Sequence, residues 1–236
     1  MNLNISAFTH AGTIRDFNQD SVLVKGQILS SGEVNLINQD YCVCFIADGV
    51  GGNKAGDFAS RYVLEGLNKA ILSHVESDLD DRLREVNRQL LTESSGNEEL
   101  RGSATTLTGL VVIENTFLIL HVGDSQMWLR RNGTFFKVTN DQVLNENEAN
   151  SPLTSYFGGS EDNLKFDRDI FVREIAVADV FLICSDGLFK SLKHKAVKAI
   201  LDDENDLQSQ SRALLDQCLQ KGAEDNVSVI LIQRTA

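Results

Sequence analysis

The stretch Phe45–Ser60 reads FIADGVGGNKAGDFAS and places one acid, Asp48, at the end of an apolar run. Gly49, Gly51 and Gly52 follow almost at once, and then residues with helical spacing. Glycine allows tight turns and close approach of the backbone to a ligand. This pattern predicts a buried strand that ends in a carboxylate and turns sharply into a helix.

The segments around this stretch predict strands and helices that are segregated along the chain. β-Branched and aromatic runs indicate strands, and apolar residues spaced three or four apart indicate helices. The predicted strands are Ile5–Thr9, Ser21–Ile28, Tyr41–Ala47, Leu107–Ile113, Thr116–Val122, Gln126–Arg130, Thr134–Val138, Phe171–Ala176, Val180–Cys184 and Val227–Gln233. The predicted helices are Asp57–Val75, Leu79–Leu91, Lys193–Leu201 and Leu207–Lys221.

This segregation favours an α+β fold over a parallel βαβ sheet. We expect a four-layer αββα sandwich, in which two antiparallel sheets face each other and a helix pair covers each outer face. Turns are predicted near Ser30–Glu33, at Glu114-Asn115 and at Arg131-Asn132-Gly133, and the longest loop is 140–167. The chain has one proline and no linker-like run, so residues 1–236 are expected to form a single domain.

Composition excludes several classes of function. The net charge is −12, which argues against nucleic-acid binding. The densest basic stretch, Lys190–Lys198, holds four lysines and is interpreted as a solvated helix face. No apolar run approaches the ~20 residues of a membrane helix, and the start MNLNISAFTH does not resemble a signal peptide. We expect a cytoplasmic protein that binds no membrane, with its four cysteines reduced and buried.

Five acids occupy strand boundaries, and this recurrence suggests a metal site. They are Asp20, Asp48, Asp124, Asp186 and Asp225. Carboxylates that converge repel one another unless a cation holds them, and Mg²⁺ and Mn²⁺ prefer oxygen ligands. The Gly49 carbonyl could approach the same ion as Asp48. Each acid taken alone also fits an ordinary turn, so the pattern leaves both readings open.

Other chemistries lack their sequence patterns. The four histidines show no zinc-site spacing, and no GxSxG, GxxxxGK[ST] or GxGxxG motif is present. Arg15 lies five residues before Asp20. An arginine near acids is usually a salt-bridge partner, but beside a metal pair its planar guanidinium could bind a phosphate through two hydrogen bonds.

Six segments together resemble the metal-dependent Ser/Thr protein phosphatases of type 2C, in particular the compact bacterial members. In chain order the segments are HAGTIRDFNQDS, FIADGVGGNKAGDFAS, RGSATTLTGLVV, HVGDSQMWLR, FLICSDGLF and AEDNVSVILI. The resemblance covers nearly the whole chain and implies the same sandwich of two sheets. It departs at several positions, among them Gln126 and the segment 141–157, which is shorter than the usual flap, but every expected metal ligand is present.

The resemblance implies a role for each candidate residue. Asp48 would bridge two Mn²⁺ or Mg²⁺ ions, with the Gly49 carbonyl on one of them. Asp186 and Asp225 would hold the second ion, and Asp124 with Asp186 a third. Arg15 would bind the substrate phosphate and Asp20 would act through bound water. Asn226 would support the ligands without touching the ions. The roles imply attack by a metal-bound hydroxide on phosphorus, with no phosphoenzyme.

The function implied is hydrolysis of phosphoserine and phosphothreonine in proteins, reversing a bacterial Ser/Thr kinase. The expected partners are phosphorylated proteins, and the expected state is a monomer. A catalytically silent phosphoprotein-binding module on the same fold is the alternative, and it would require a lost metal ligand. A phosphatase of small phosphate esters is the third reading.

Overall fold

The computed structural model describes residues 1–50, 54–72, 79–113, 116–146, 148, 151–159, 164–165, 174–203 and 205–235. Within these ranges the strands form two antiparallel sheets. One sheet has the order β10-β9-β12-β13-β1-β4. Its strands are β1 (Leu3–His10), β4 (Gly32–Gln39), β9 (Gln126–Arg131), β10 (Thr134–Lys137), β12 (Val180–Cys184) and β13 (Val227–Arg234).

The other sheet has the order β11-β6-β5-β2-β3, and β7 also pairs with β5 and with β8. Its strands are β2 (Asp20–Val24), β3 (Gln27–Leu29), β5 (Cys42–Val50), β6 (Ala104–Thr105), β7 (Leu107–Ile113), β8 (Thr116–Val122) and β11 (Phe157–Gly158). The helices of the described chain are α1 (Lys54–Leu72), α2 (Leu79–Ser95), α3 (Gly187–Ser191), α4 (His194–Asp202) and α5 (Leu207–Gln220), with a 3₁₀ turn at Glu98–Leu100. No helix in these ranges combines the length and apolar content needed to cross a bilayer.

Three apolar cores lie between four layers, which confirms the predicted αββα sandwich. Alternate residues of each strand point to opposite faces of its sheet. In β5, Cys44 and Ile46 pack between the two sheets, whereas Val43 and Phe45 pack against α1 and α2. The residues of β13 divide in the same way between the central core and the core under α3–α5. Because both faces of these strands are buried, their sequences are continuously apolar.

Several element predictions need correction. β4 was expected to be only a turn near Ser30–Glu33, but it is an eight-residue strand with a largely solvent-accessible pattern. The short helix α3 was not predicted. Residues 174–176, expected in a strand, are not in one, and 171–173 lie outside the described residues. The predicted end of α1 at 73–75 and the turns at 51–52 and 114–115 also lie outside them.

The same alternation places acids at one end of the layer between the sheets. Asp48 follows Cys44 and Ile46 on the central face of β5, at the carboxyl end of that strand. Asp20 begins β2 and is paired directly with Asp48 across the antiparallel ladder. At this end of the sandwich, the residues between the two sheets are therefore carboxylates instead of apolar side chains.

Candidate active site and metal centre

All five predicted acids belong to this end of the sandwich. Besides Asp20 and Asp48, Asp124 lies in the turn between β8 and β9, Asp186 directly precedes α3, and Asp225 lies two residues before β13. The charges of Asp20, Asp124, Asp186 and Asp225 all raise the pKa of Asp48, which shows that the five lie close enough to interact. The sequence prediction that these acids converge is consistent with this geometry.

The pKa values of Asp20 and Asp48 are both raised. Like charges directly opposite each other on neighbouring strands destabilise a sheet. Desolvation by burial, followed by the charges of Asp20, Asp186 and Asp124, raises the pKa of Asp48 well above its ordinary value. Burial also raises the pKa of Asp20 to about 6, although hydrogen bonds from two serines oppose the change. Burial and the neighbouring charges therefore favour the protonated form of both carboxyls when no cation compensates them.

Asp20 is held by a hydroxyl network between the two sheets. Its Oδ2 accepts hydrogen bonds from Ser185 Oγ at 2.8 Å and from Ser228 Oγ at 2.7 Å. Ser228 Oγ is in turn 2.7 Å from Thr9 Oγ1. The other oxygen, Oδ1, is buried and has no hydrogen-bond partner among the residues that the structure describes. A buried acceptor of this kind is normally satisfied by water or an ion, so Oδ1 marks a position where a ligand or its water fits.

The backbone at Asp48 is fixed by two threonines. The Asp48 carbonyl accepts hydrogen bonds from Thr105 Oγ1 at 2.9 Å and from the Thr106 amide at 3.0 Å. The Asp48 amide donates to Thr106 Oγ1 at 3.0 Å. At Gly49, a Cβ atom would come within 2.2 Å of the Gly56 carbonyl oxygen, so only glycine fits this approach of α1 to β5. The sequence motif thus sets the position of the Asp48 carboxylate.

Two basic side chains already bind the acids on the opposite sheet. Lys190 Nζ lies 2.5 Å from Asp186 Oδ2 and 2.8 Å from Asp225 Oδ2. Arg15 reaches the other Asp225 oxygen at 2.9 Å, and 53% of its side chain is exposed. Burial tends to raise the pKa of Asp225, but Lys190 and Arg15 outweigh it and lower the pKa. Burial would lower the pKa of Lys190, whereas the two carboxylates raise it.

Asp124 has a neighbouring acid that was not predicted to belong to the site. Burial, and then the charges of Asp186 and Asp141, raise the pKa of Asp124 to about 7. Asp141 Oδ2 accepts a hydrogen bond from Gln126 Nε2 at 3.0 Å and pairs with Lys137 at 2.7 Å. Its Oδ1 is buried and has no hydrogen-bond partner in the described part of the chain. Asp141 therefore presents an unsatisfied acceptor on the Asp124 side of the cluster.

Asn226 ties the Arg15 loop to the start of β13. Its Nδ2 donates to the Ala11 carbonyl at 2.9 Å and the Phe17 carbonyl at 3.0 Å. Its Oδ1 accepts a hydrogen bond from the Gln19 amide at 2.9 Å. The three bonds hold both ends of the loop that carries Arg15. The side-chain contacts of Asn226 are thus with the loop, and its backbone amide donates to Asp225 Oδ1 at 3.0 Å; its role beside the metal ligands stays a prediction.

An open cleft of about 840 Å³ lies over the cluster. Arg15, Asp124, Asp186 and Asp225 line it, together with Lys190, Asp141 and acidic residues of the segment 141–157. Asp20, Asp48, Gly49 and Asn226 are not among its lining residues. The cleft is large enough to admit a phosphorylated side chain, with Arg15 on its wall and the Asp20–Asp48 pair outside its lining.

The donor set fits divalent cations. Its carboxylate oxygens are the ligands that Mg²⁺ and Mn²⁺ prefer. Among the described residues, Asp20 Oδ1 and Asp141 Oδ1 are buried acceptors without a hydrogen-bond partner. The Lys190 ammonium bridges two carboxylates as a cation would. In the described part of the chain, no three His, Cys, Asp or Glu side chains form a ready-made ligand cage.

Lys190 is a further site residue that sequence reasoning missed. The lysine-rich stretch was interpreted as a solvated helix face, which is wrong for its first member. Asp186 and Lys190 are spaced four residues apart, and side chains at this spacing meet on a helix. The four-residue spacing could have indicated that Lys190 contacts Asp186, but only if a helix had been predicted at α3.

Comparison with protein families identifies a match over most of the chain. Residues 17–228 match the family model described as Protein phosphatase 2C. A serine/threonine phosphatase from Listeria welshimeri is 27% identical over 96% of this chain and 94% of its own length.

Solved structures show the same architecture. The serine/threonine phosphatase PstP of Mycobacterium tuberculosis has a TM-score of 0.81 and 25% identity, with all of both chains covered. A structure of the PstP catalytic domain in complex with two manganese ions has a TM-score of 0.79 and 24% identity, and the match covers 100% of this chain and 99% of that one. The similarity to this manganese-bound structure shows a shared fold.

Proposed function

The chain belongs to the protein phosphatase 2C family, and we propose that it hydrolyses phosphoserine and phosphothreonine in proteins with the help of bound divalent cations. The observation that carries the proposal is the gathering of five carboxylates and Arg15 at one end of the layer between the sheets. The names of similar proteins support the substrate class, since the Listeria relative is a serine/threonine phosphatase.

The ion-binding roles proposed here are those that the resemblance to the family implies. We assign Asp48 and the Gly49 carbonyl, with Asp186 and Asp225, to two cations, and Asp124 with Asp186 to a third. The cations, when bound, would lower the pKa of a bound water and neutralise the phosphoryl oxygens. Manganese is supported by the PstP structure that contains two manganese ions, and Mg²⁺ has the same preference for oxygen ligands.

The protein's own groups position the substrate and handle the proton. Arg15 lies on the cleft wall with more than half of its side chain exposed, so its guanidinium can form paired hydrogen bonds to a phosphate. Asp20 Oδ1 is unpartnered and its carboxyl has a pKa of about 6. It can therefore hold a water molecule and accept a proton near neutral pH. Asn226 fixes the loop from which Arg15 extends.

The cellular setting is also a proposal. The similar proteins are bacterial, and we place this chain in the bacterial cytoplasm as a single-domain monomer. Its substrates would be proteins phosphorylated by a Ser/Thr kinase. The phosphorylated kinase itself is a further candidate substrate.

The test is release of phosphate from a phosphothreonine peptide, with Mn²⁺ or with EDTA. We expect Mn²⁺-dependent release that falls by at least about 100-fold in Asp186→Asn, because even residues that only support metal ligands contribute 10–100-fold. Asp216→Asn, an exposed acid on α5, is the matched control and should retain full activity. No release by a folded wild type that binds Mn²⁺ would instead indicate the silent binding module. Release only from p-nitrophenyl phosphate would indicate a phosphatase of small esters.

A further inference from the structure

Lys190 occupies an unusual position for a surface lysine. Its ammonium contacts one oxygen of Asp186 and one of Asp225, at 2.5 and 2.8 Å. The two carboxylates come from different elements, since Asp186 precedes α3 and Asp225 precedes β13. Lys190 lines the cleft, and 40% of its side chain is exposed. A single ammonium group therefore joins two acids that also have a proposed role in ion binding.

The contacts of Lys190 compete with a divalent ion for the same oxygens. An ammonium is a compact charge with three donors. A divalent cation would approach these carboxylate oxygens to about 2.0–2.1 Å in the case of Mg²⁺, and it would repel the ammonium held there. Binding of the ion therefore weakens both contacts and favours movement of Nζ away from the carboxylates. The half-exposed side chain can make this movement without unfolding α3.

We propose that Lys190 is a tethered cation that competes with divalent metal ions for the Asp186 and Asp225 carboxylates and so weakens metal loading. The proposal rests on the ion-binding roles given above. In the metal-free protein, Lys190 neutralises part of the acidic cluster and holds Asp186 and Asp225 together. When an ion binds, the ammonium turns into the cleft, where it adds positive charge beside Arg15. Lys190 thereby sets the metal concentration at which the enzyme becomes active.

A purely structural salt bridge predicts the opposite effect on metal binding. If Lys190 only holds the two carboxylates in place, its removal should disorder the ligands and weaken the affinity for Mn²⁺. If it competes, its removal should free the ligands and strengthen the affinity. The sign of the change in Kd therefore distinguishes the two roles.

The experiment is titration of the full metal-free chain with Mn²⁺ alone. Binding is measured by calorimetry and by electron paramagnetic resonance of the free ion. Lys190→Met keeps the length of the side chain and removes its charge. We expect Kd to fall about tenfold, which corresponds to one charge-assisted hydrogen bond. Lys193→Met, an exposed lysine three residues further on, should change Kd by less than about twofold, as expected for a screened surface charge. Lys190→Arg keeps the competing charge and should stay within about threefold of wild type.

An unchanged or larger Kd in folded Lys190→Met would overturn the competition. Circular dichroism and urea unfolding of the metal-free variants establish that they are folded. Lys190→Arg keeps the positive charge and therefore tests the effect of charge separately from the effect of substitution. Because the titration contains no substrate, it is separate from the phosphopeptide assay. Equal affinities with full hydrolysis would overturn only the role of Lys190, and a tighter Kd without hydrolysis would overturn only the proposed function.

Discussion

The buried carboxyl of Asp20 should make the metal-free protein less stable as the pH rises. Its pKa is raised from 3.8 to about 6, and burial is the largest cause. The folded chain therefore binds this proton more tightly than the unfolded chain does. The resulting stability is complete below about pH 4 and is lost as the pH rises through about 6.

The size of the effect follows from the difference in pKa. One pKa unit corresponds to about 1.4 kcal/mol, so the change from 3.8 to about 6 corresponds to a loss of about 3 kcal/mol. About 1.4 kcal/mol of this loss falls between about pH 5 and about pH 7.5. Asp20→Asn removes the titrating group. Since its carbonyl oxygen can still accept the bonds from Ser185 and Ser228, the network stays largely intact.

The assay is urea unfolding in EDTA at the two pH values for wild type and Asp20→Asn. Any fixed cost of burying the asparagine amide cancels when each protein is compared with itself. We expect the unfolding free energy of wild type to fall between the two pH values by at least about 1.4 kcal/mol more than that of the variant. Asp40→Asn is the control, because 89% of the Asp40 side chain is exposed, and its pH dependence should match wild type.

The same pH dependence in Asp20→Asn and wild type would refute this reasoning. It would mean that Asp20 is ionised in the folded metal-free protein and that a counter-charge or water compensates it there. A steeper dependence in the variant would refute it equally, since it would give Asp20 a pKa below that of the unfolded chain. Addition of Mn²⁺ at about pH 7.5 should raise the unfolding free energy of the wild-type protein. At an Mn²⁺ concentration of 100 times Kd the increase should be about 2.7 kcal/mol.

Two further substitutions test how the site is positioned. Gly187→Ala would place a Cβ atom 1.9 Å from the Asn226 carbonyl oxygen, so we expect a loss of about 1–3 kcal/mol in thermal unfolding, as for overpacked cores. Gly96→Ala has only ordinary contacts and serves as the control; equal melting temperatures for the two would contradict the prediction. Asn226→Ala removes three hydrogen bonds from the Arg15 loop, so KM for a phosphothreonine peptide should rise about tenfold while Kd for Mn²⁺ changes little. An unchanged KM would show that the loop is held by its other contacts.

The fold could be predicted because most of its strands are buried on both faces. Such strands are apolar throughout, as in VFLIC of β12 and VSVILI of β13, and their boundaries are sharp. β4 was missed because its sequence GEVNLINQ is polar and it lies at the edge of its sheet. α3 was missed because five residues are too few to show helical periodicity.

The site could be predicted in part because acids at the ends of buried strands are conspicuous. The serine hydroxyls that hold Asp20 were not predicted, since Ser185 and Ser228 come together only through the pairing of distant strands. The role of Asp141 depends in the same way on its tertiary contacts with Gln126 and Lys137. Sequence spacing gives the residues on one element, but contacts between elements require the fold.

The charges of the cluster link folding to ion binding. Five carboxylates face two basic side chains, Lys190 and Arg15, and both of these bind on the Asp225 side. On the Asp20–Asp48 side no described basic side chain contacts either carboxylate, and there the pKa values rise. Burial and like charges favour protonation on the first side, and Lys190 supplies positive charge on the second, so binding of divalent ions is expected to release protons on the first side and to displace an ammonium on the second. The three apolar cores are what stabilise a fold that keeps these carboxylates together before any ion binds.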